Sequence, residues 1–317
     1  MKALRFKKFG PPSVLAIEEV PQPEPLAGEA LVQVKAAAIN PSDVKNVAGL
    51  FSATTLPRTP GRDFSGVVVA GKKYQGKEVW SSGPGLGITR DGAQAEYVRV
   101  AEEALSPKPS TLSLEQAAAI GVPFITAWVA LVRAAKLQAG ETILIIGVAG
   151  AVGQAAAQIA NWRKARVLGA ARSSDPIPGA AAVINTTTDD LRDRVFELTN
   201  SKGVDAVLDT VGGAMFEPAL HSLRIGGRQV SIASAGERRV SFDLIDFYHN
   251  LSRLMGIDSM KFTPRDVAGI ADELRPGFEA NVLKAPPLQL VPFEGATEAY
   301  QRIASGQAKA KQVLTFR

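Results

Sequence analysis

The chain has 317 residues, enough for one large or two medium cores, and its 46% hydrophobic and 21% charged content is that of an ordinary soluble globular protein. It contains no cysteine, which excludes disulfides, thiolate metal sites and cysteine nucleophiles, and only His221 and His249, too few for a histidine-built metal site. The net charge of +5 sits in short doublets such as Lys7-Lys8, Lys72-Lys73 and Arg238-Arg239, which read as solvated surface, so nucleic acid is not an expected partner.

From the start, residues 2–20 alternate and break at Gly10-Pro11-Pro12, the pattern of a hairpin or of paired edge strands. Pro21, Pro23 and Pro25 stiffen the connection that follows. Glu29 to Ala38 alternates as a strand and ends at Ile39-Asn40-Pro41-Ser42-Asp43, where the proline disfavours helix at Asn40 and opens a short helix through Val44 and Val47. Residues 49–60 read as a loop with Phe51 as its large apolar member. Further strands are expected around Val67-Val68-Val69, at Glu78-Val79-Trp80 and from Ala93 to Val100, with Gly83, Gly85 and Gly87 marking a loop. Leu114 to Ile120 begins a helix behind a Ser113 and Gln116 capping box, and Phe124 to Lys136 reads as a second, bounded by Pro123 and Gly140. The segment before these helices has no regular strand–helix alternation and fits a curved antiparallel or barrel-like sheet.

Alternation begins after Gly140. Strands are expected at 142–146, 166–170, 181–184, 204–209 and 227–232, and helices at 153–163, 189–199 and 213–223, the signature of a parallel doubly wound sheet. A helix and a strand around Leu254-Met255-Gly256-Ile257 share 241–258, Pro264 to Leu274 is helical, and strands at Leu288 to Val291 and Val313 to Phe316 flank a helix at 294–304. Because β-rich character returns, the last segment is expected to rejoin the first domain. The expected division is 1–122 and 259–317 for a split β-rich domain and 123–258 for the α/β domain. Charges interrupt every apolar run and the N-terminal segment shows no leader pattern, so membrane insertion is not expected and a cytoplasmic location is.

The most informative stretch is Ile143-Leu144-Ile145-Ile146-Gly147-Val148-Ala149-Gly150-Ala151-Val152-Gly153: an apolar strand, a glycine turn and an alanine-rich helix. That order is the phosphate-binding corner of a dinucleotide fold. Gly150 lets a pyrophosphate approach the backbone, the amides of Ala151 and Val152 face it from the helix start, and Gly153 lets the helix sit close to the strand. Val148 stands where the first glycine of the simple pattern falls, with Gly147 one residue earlier. The region after the second strand, Val167-Leu168-Gly169-Ala170-Ala171-Arg172-Ser173-Ser174, lacks the acidic residue that holds an NAD ribose. Arg172 can neutralise a 2′-phosphate and Ser173 can donate to it, so NADP(H) is expected in preference to NAD(H).

These features resemble the medium-chain dehydrogenase/reductase superfamily, in its zinc-independent quinone oxidoreductase-like branch. The resemblance is carried in order by Gly10-Pro11-Pro12-Ser13-Val14-Leu15, Ala38 to Asp43, Gly61-Arg62-Asp63-Phe64-Ser65-Gly66, the Ala117 to Trp128 run, the 147–153 turn, Asp209-Thr210-Val211-Gly212-Gly213 and Ala308 to Val313. It implies a GroES-like β-rich catalytic domain beside a doubly wound Rossmann domain, with the active cleft between them. It also implies NADPH-dependent reduction of a quinone, an enone or an activated acrylate, and a homodimer paired through the strand near Leu254 to Ile257. Val211 and Thr126 match family positions at the cofactor, Thr126 near the nicotinamide. In zinc-dependent relatives a cysteine falls in the region of Asn40, and their structural zinc uses four cysteines, so no metal is expected. Phe51 takes the place of a common tyrosine, and Thr186 that of a tyrosine at the 2′-phosphate, which leaves Arg172 carrying more of the NADP assignment.

Asn40 can donate its amide to a developing oxyanion, or cap the helix begun at Pro41. Asp43 can order this corner or touch the nicotinamide side, or serve only as a dipole partner of the helix start. Thr126 can contact cofactor and substrate, or bond its own backbone. Phe51 can line an aromatic-accepting pocket, or anchor its loop. An NADPH-binding sensory protein with little turnover and a zinc-independent alcohol or carbonyl dehydrogenase are the other readings.

Overall fold

The computed structural model describes residues 1–316 and forms two compact units, one built from Met1–Ile125 and the segment from Met260 onward, the other from Thr126–Ser259. In the first unit β1 (Lys2–Arg5) and β2 (Ala16–Glu19) pair antiparallel. The spine is β3 (Glu29–Ala38), followed by α1 (Pro41–Val47), β4 (Asp63–Ala70), β5 (Glu78–Ser82), β6 (Tyr97–Ala101) and β7 (Ser106–Pro107). One edge of β3 pairs with β4 along its length, with register shifts at Leu31/Val32 and Val34/Ala36. Its other edge serves β6 over Glu29–Gln33 and a C-terminal strand over Ala36–Ala38. A strand that changes partner midway curves, and that curvature closes this sheet over Val32, Val34, Phe64, Val68, Val79 and Val98.

Two helices follow, α2 (Leu114–Ala119) and α3 (Gly121–Trp128). Ala118 and Ala119 of α2 lie fully buried against Ala36, Ala38 and Val313. Methyl side chains on both surfaces let helix and sheet approach closely. Helix α3 begins at Gly121, earlier than the expected Phe124, because Pro123 fits a first turn where its missing N–H is not needed. Beyond Trp128 the chain continues as a π-helical turn through Ala134 and does not remain α-helical to Lys136. The expected strand from Ala93 is also shorter. Gln94 spends its N–H on Pro60 and its carbonyl on Leu4, so regular pairing starts only at Tyr97.

The second unit runs β8 (Thr142–Ile146), α4 (Ala151–Trp162), β9 (Arg166–Ala171), β10 (Ala182–Asn185), α5 (Leu191–Leu198), β11 (Val204–Asp209), α6 (Phe216–His221), β12 (Leu223–Ser231), α7 (Leu244–His249) and β13 (Arg253–Gly256). Its sheet is parallel throughout, in the order β10-β9-β8-β11-β12-β13. The winding reverses between β8 and β11, the place where such sheets take ligands. Leu144, Ile146, Leu168, Ala170 and Val207 are buried, as strands covered on both faces require. Strand β12 begins at Leu223, ahead of the expected 227, and absorbs Gly226 in a left-handed conformation (φ +74°). Arg228 on β12 is buried and makes a bidentate pair with Glu141 at 2.8 and 2.5 Å, tying β12 to the start of β8.

The chain re-enters the first unit through α8 (Pro264–Glu279), β14 (Leu288–Pro292), α9 (Ala296–Ala304) and β15 (Lys311–Thr315). Strand β15 pairs with β14 on one side and β3 on the other. Helix α8 runs five residues past the expected end, and its Phe278 ring meets Phe124 edge-on with centroids 4.9 Å apart. Among the described residues no helix is long and apolar enough to cross a membrane.

Candidate functional site

In the second unit β8 delivers the chain into a turn at the sheet's reversal point. Gly147 has φ +78°, a conformation only glycine adopts without strain. It is the residue that makes the tight turn, one place before the usual position. Val148 is then free to be fully buried, packed over Gly169 of β9, where a β-carbon would lie 2.7 Å from its Cγ1. Gly150 is the N-cap of α4, and a β-carbon on Gly153 would lie 2.3 Å from the Gly147 carbonyl oxygen. Helix and turn are in backbone contact there. The first amides of α4, those of Ala151, Val152 and Gly153, have no partner in the preceding turn of helix, and the helix dipole adds positive potential at this end. Ala151 is exposed and Val152 half-buried. Thr210, at the end of β11, donates its hydroxyl to the Ile146 carbonyl at 2.8 Å and closes the other wall of the corner.

Two buried oxygens of the second unit, on Thr126 and Asp209, lack partners. Thr126 is 7% exposed and its Oγ1 has no hydrogen-bond partner, so it does not bond its own backbone. Asp209, fully buried, accepts from the amides of Val211 and Gly212 through Oδ1, at 3.0 and 2.8 Å, and leaves Oδ2 free. Burial raises the Asp209 pKa, against the pull of those two amides. The orphaned Asp209 oxygen at the end of β11, next to the glycine cradle that follows β8, fits a dinucleotide with its diphosphate on α4.

At the end of β9, Arg172 is exposed. Ser173 donates its hydroxyl to Asp175 at 2.9 Å, and Thr186 donates its own to the Ala171 carbonyl at 3.1 Å, so neither is free in this state. No helix forms between β9 and β10, in keeping with the Asp175-Pro176-Ile177-Pro178-Gly179 stretch.

The first unit contains a separate polar cluster. Asn40 is 2% exposed and is the N-cap residue of α1. Its Nδ2 donates to Asp63 Oδ2 at 2.9 Å, and its Oδ1 accepts from the Lys311 ammonium on β15. The capping bond comes from Asp43, whose carboxylate accepts the Asn40 backbone N–H at 2.8 Å. Asp63 Oδ2 also accepts the Val122 N–H at 2.9 Å at the start of α3. A β-carbon on Gly121 would lie 2.4 Å from Asp63 Oδ1, so only glycine permits this approach. Burial pushes the Asp43 carboxyl up to about 6; the Asn40 N–H opposes the rise, Asp63 adds to it, and Lys311 and Arg62 oppose it. Burial likewise lowers the Lys311 pKa, against Asp63 and Asp43.

Thus the structure joins Asn40 and Asp43 in one network and adds Asp63 and Lys311, which no single sequence motif points out as site residues. Both lie in blocks that carried the family resemblance, and their pairing is a tertiary contact. Phe51 is half-buried in its loop. Tyr300 is fully buried and donates to Gln94 Oε1 at 2.7 Å, and burial raises its pKa well above the usual value.

A mostly antiparallel sheet completed by the C-terminal segment in one unit, and a parallel 3-2-1-4-5-6 sheet with a glycine phosphate corner in the other, define a pyridine-nucleotide oxidoreductase. Residues 26–110 match the alcohol dehydrogenase GroES-like domain and residues 151–274 the zinc-binding dehydrogenase domain. A zinc-type alcohol dehydrogenase-like protein of Schizosaccharomyces pombe is 38% identical over 90% of this chain and 87% of its own. The quinone oxidoreductase of Pongo abelii is 31% identical over 99% of this chain and 97% of its own. A crystal structure described as an NAD-dependent alcohol dehydrogenase superposes with a TM-score of 0.89 at 30% identity, covering 100% of both chains. The chain belongs to the medium-chain dehydrogenase/reductase superfamily, in its quinone oxidoreductase-like branch. The zinc that one family description implies does not fit these residues: the sequence has no cysteine, and among the described residues no three of His, Cys, Asp and Glu group closely enough to hold a metal.

Proposed function

We propose that this protein is a zinc-independent, NADPH-dependent reductase of a quinone or an α,β-unsaturated carbonyl. The observation that carries the reading is the Gly147–Gly153 corner at the sheet's reversal point, next to a β9 end that carries Arg172 and no carboxylate on the strand itself. Quinone oxidoreductase relatives at full coverage support the substrate class.

When bound, the cofactor supplies a hydride. The Ala151, Val152 and Gly153 amides hold the diphosphate, with Arg172 on the 2′-phosphate. The unpartnered Thr126 hydroxyl and the Val211 region hold the nicotinamide end. Asn40 has one Nδ2 hydrogen uncommitted after its bond to Asp63, and that hydrogen is the donor to the acceptor's developing oxyanion. Lys311 and Asp63 fix the amide's orientation. Protonation of an enolate or hydroquinone comes from water, since neither demands a strong acid. The protein acts as a homodimer through the edge strand β13, beside which Leu244, Ile245, Tyr248 and Leu251 are exposed.

The test is direct. NADPH and NADH affinities are measured by fluorescence on the parent and on Arg172→Ala, and NADPH oxidation is followed in metal-free buffer with small quinones, short enones and activated acrylates. Tighter NADPH binding that Arg172→Ala abolishes, with turnover of at least one class, is expected. Equal affinities in the parent would remove the NADP assignment and favour an NAD-linked dehydrogenase, a reading supported by Asp175, which Ser173 holds in the same loop.

A further inference from the structure

The first unit contains a pocket of about 450 Å³ that plays no part in the reading above. Arg5, Arg58, Arg90 and Arg99 line one side, and Pro21 and Pro23 belong to its apolar part. Two carboxylates serve the four guanidinium groups. Asp91 takes Arg5 at 3.0 Å and Arg58 at 3.3 Å, while Glu29 takes Arg90 at 2.7 Å and Arg99 at 3.0 Å. Met1 lines the pocket as well, and its ammonium donates to the neutral Val20 carbonyl at 2.8 Å, so positive charge exceeds the two carboxylates.

The sharing is also uneven in depth. The Arg5 and Arg58 side chains are only 13% and 11% exposed, whereas the Asp91 they share is 54% exposed and also accepts the Thr59 N–H at 3.0 Å. Buried guanidinium charge with half of a solvated carboxylate apiece is under-compensated. The Arg5 Nε is buried without a hydrogen-bond partner. The forks are held in place before any ligand arrives. Arg58 Nε donates to the Thr55 carbonyl, Arg90 Nη2 to the Arg99 carbonyl and Arg99 Nη1 to the Glu24 carbonyl. Little side-chain entropy remains to be lost on binding.

We propose that this pocket is a binding site for a small organic phosphomonoester. The excess of positive charge over the two carboxylates suits a phosphate dianion, and planar guanidinium forks pair bidentately with phosphate oxygens. The volume lies in the range of small-molecule sites and leaves room for an organic body against the prolines.

The test uses full-length protein saturated with NADPH, so that the α4 corner is occupied. Phenyl phosphate is titrated calorimetrically at pH 7.5, where it is a dianion, with inorganic phosphate, benzoate and ionic-strength-matched chloride as parallel arms. One saturable site for phenyl phosphate is expected, weaker binding of inorganic phosphate and none of benzoate. Arg90→Gln/Arg99→Gln should weaken phenyl phosphate at least ~10-fold, and the more exposed Arg99→Gln alone by a few-fold, with NADPH affinity unchanged in both. No saturable binding to the parent, or equal binding by parent and both variants, overturns the proposal. If NADPH itself fails to bind, the same comparison on cofactor-free protein still reads the arginine pocket, and only the reductase reading falls.

Discussion

Lys311→Met isolates the polar cluster of the first unit. The substitution keeps the stem's volume and removes the ammonium that faces Asn40, Asp43 and Asp63. One pair of charges ~5 Å apart at an effective dielectric constant of ~20 is worth about 3 kcal/mol. Partial rehydration offsets some of this, leaving about 2 kcal/mol of lost stability at pH 8. The loss depends on pH, because Asp43 titrates near 6 when folded, above the ordinary aspartate value. A carboxyl raised in the folded state contributes stability fully below its unfolded pKa of ~4 and loses it as pH rises through the folded value. Removing Lys311 lifts the Asp43 pKa further, while the lost attraction to Asp63 is felt at both pH values, so the gap between parent and variant should be larger at pH 8 than at pH 5. The assay is equilibrium urea unfolding at both pH values in a Trp128→Phe/Trp162→Phe background, where of those three tryptophans the buried Trp80 of the first unit remains to report. A gap of equal size at the two pH values, or none at pH 8, refutes the charge-cluster account.

Asp43→Asn removes the titration while keeping an acceptor for the Asn40 N–H, so stability between pH 5 and pH 8 should flatten; an unchanged pH profile would place the titration elsewhere. Gly153→Ala drives a β-carbon into the Gly147 carbonyl and the Val148 Cα at 2.3 and 2.7 Å, both backbone, and should cost about 1–3 kcal/mol and at least ~10-fold in NADPH affinity, read by denaturation and cofactor fluorescence. Asn40→Ala should slow single-turnover hydride transfer by ~10-fold or more without weakening NADPH binding; an unchanged rate removes Asn40 from the reaction. Glu141→Gln breaks the bidentate pair with the buried Arg228 and should destabilise by about 3 kcal/mol in urea unfolding, with little effect on the first unit's transition.

Local chemistry made much of this protein legible. The Ile143–Gly153 run announces strand, turn and helix through apolar run, glycine spacing and alanine content, and β8 and α4 lie where those signals fall. Asn40-Pro41 fixes the start of α1 because a proline restricts its predecessor and suits a first turn. Where the reading of single segments failed, a distant partner decided. Gln94 stays out of regular pairing because Pro60 and Leu4 take its backbone groups.

Sequence alone determined the architecture, the parallel alternation and the absence of thiolate ligands, because those follow from period, punctuation and composition. It also placed Asn40 and Asp43 in one corner. Only the tertiary structure decided what that corner is. Asn40 bonds Asp63 and Lys311, residues 23 and 271 positions away, and no local rule brings an ammonium from the last strand to an amide at the end of the third. The arginine pocket arises the same way: Arg5, Arg58, Arg90 and Arg99 look like scattered surface charge until the folded chain gathers them around two carboxylates.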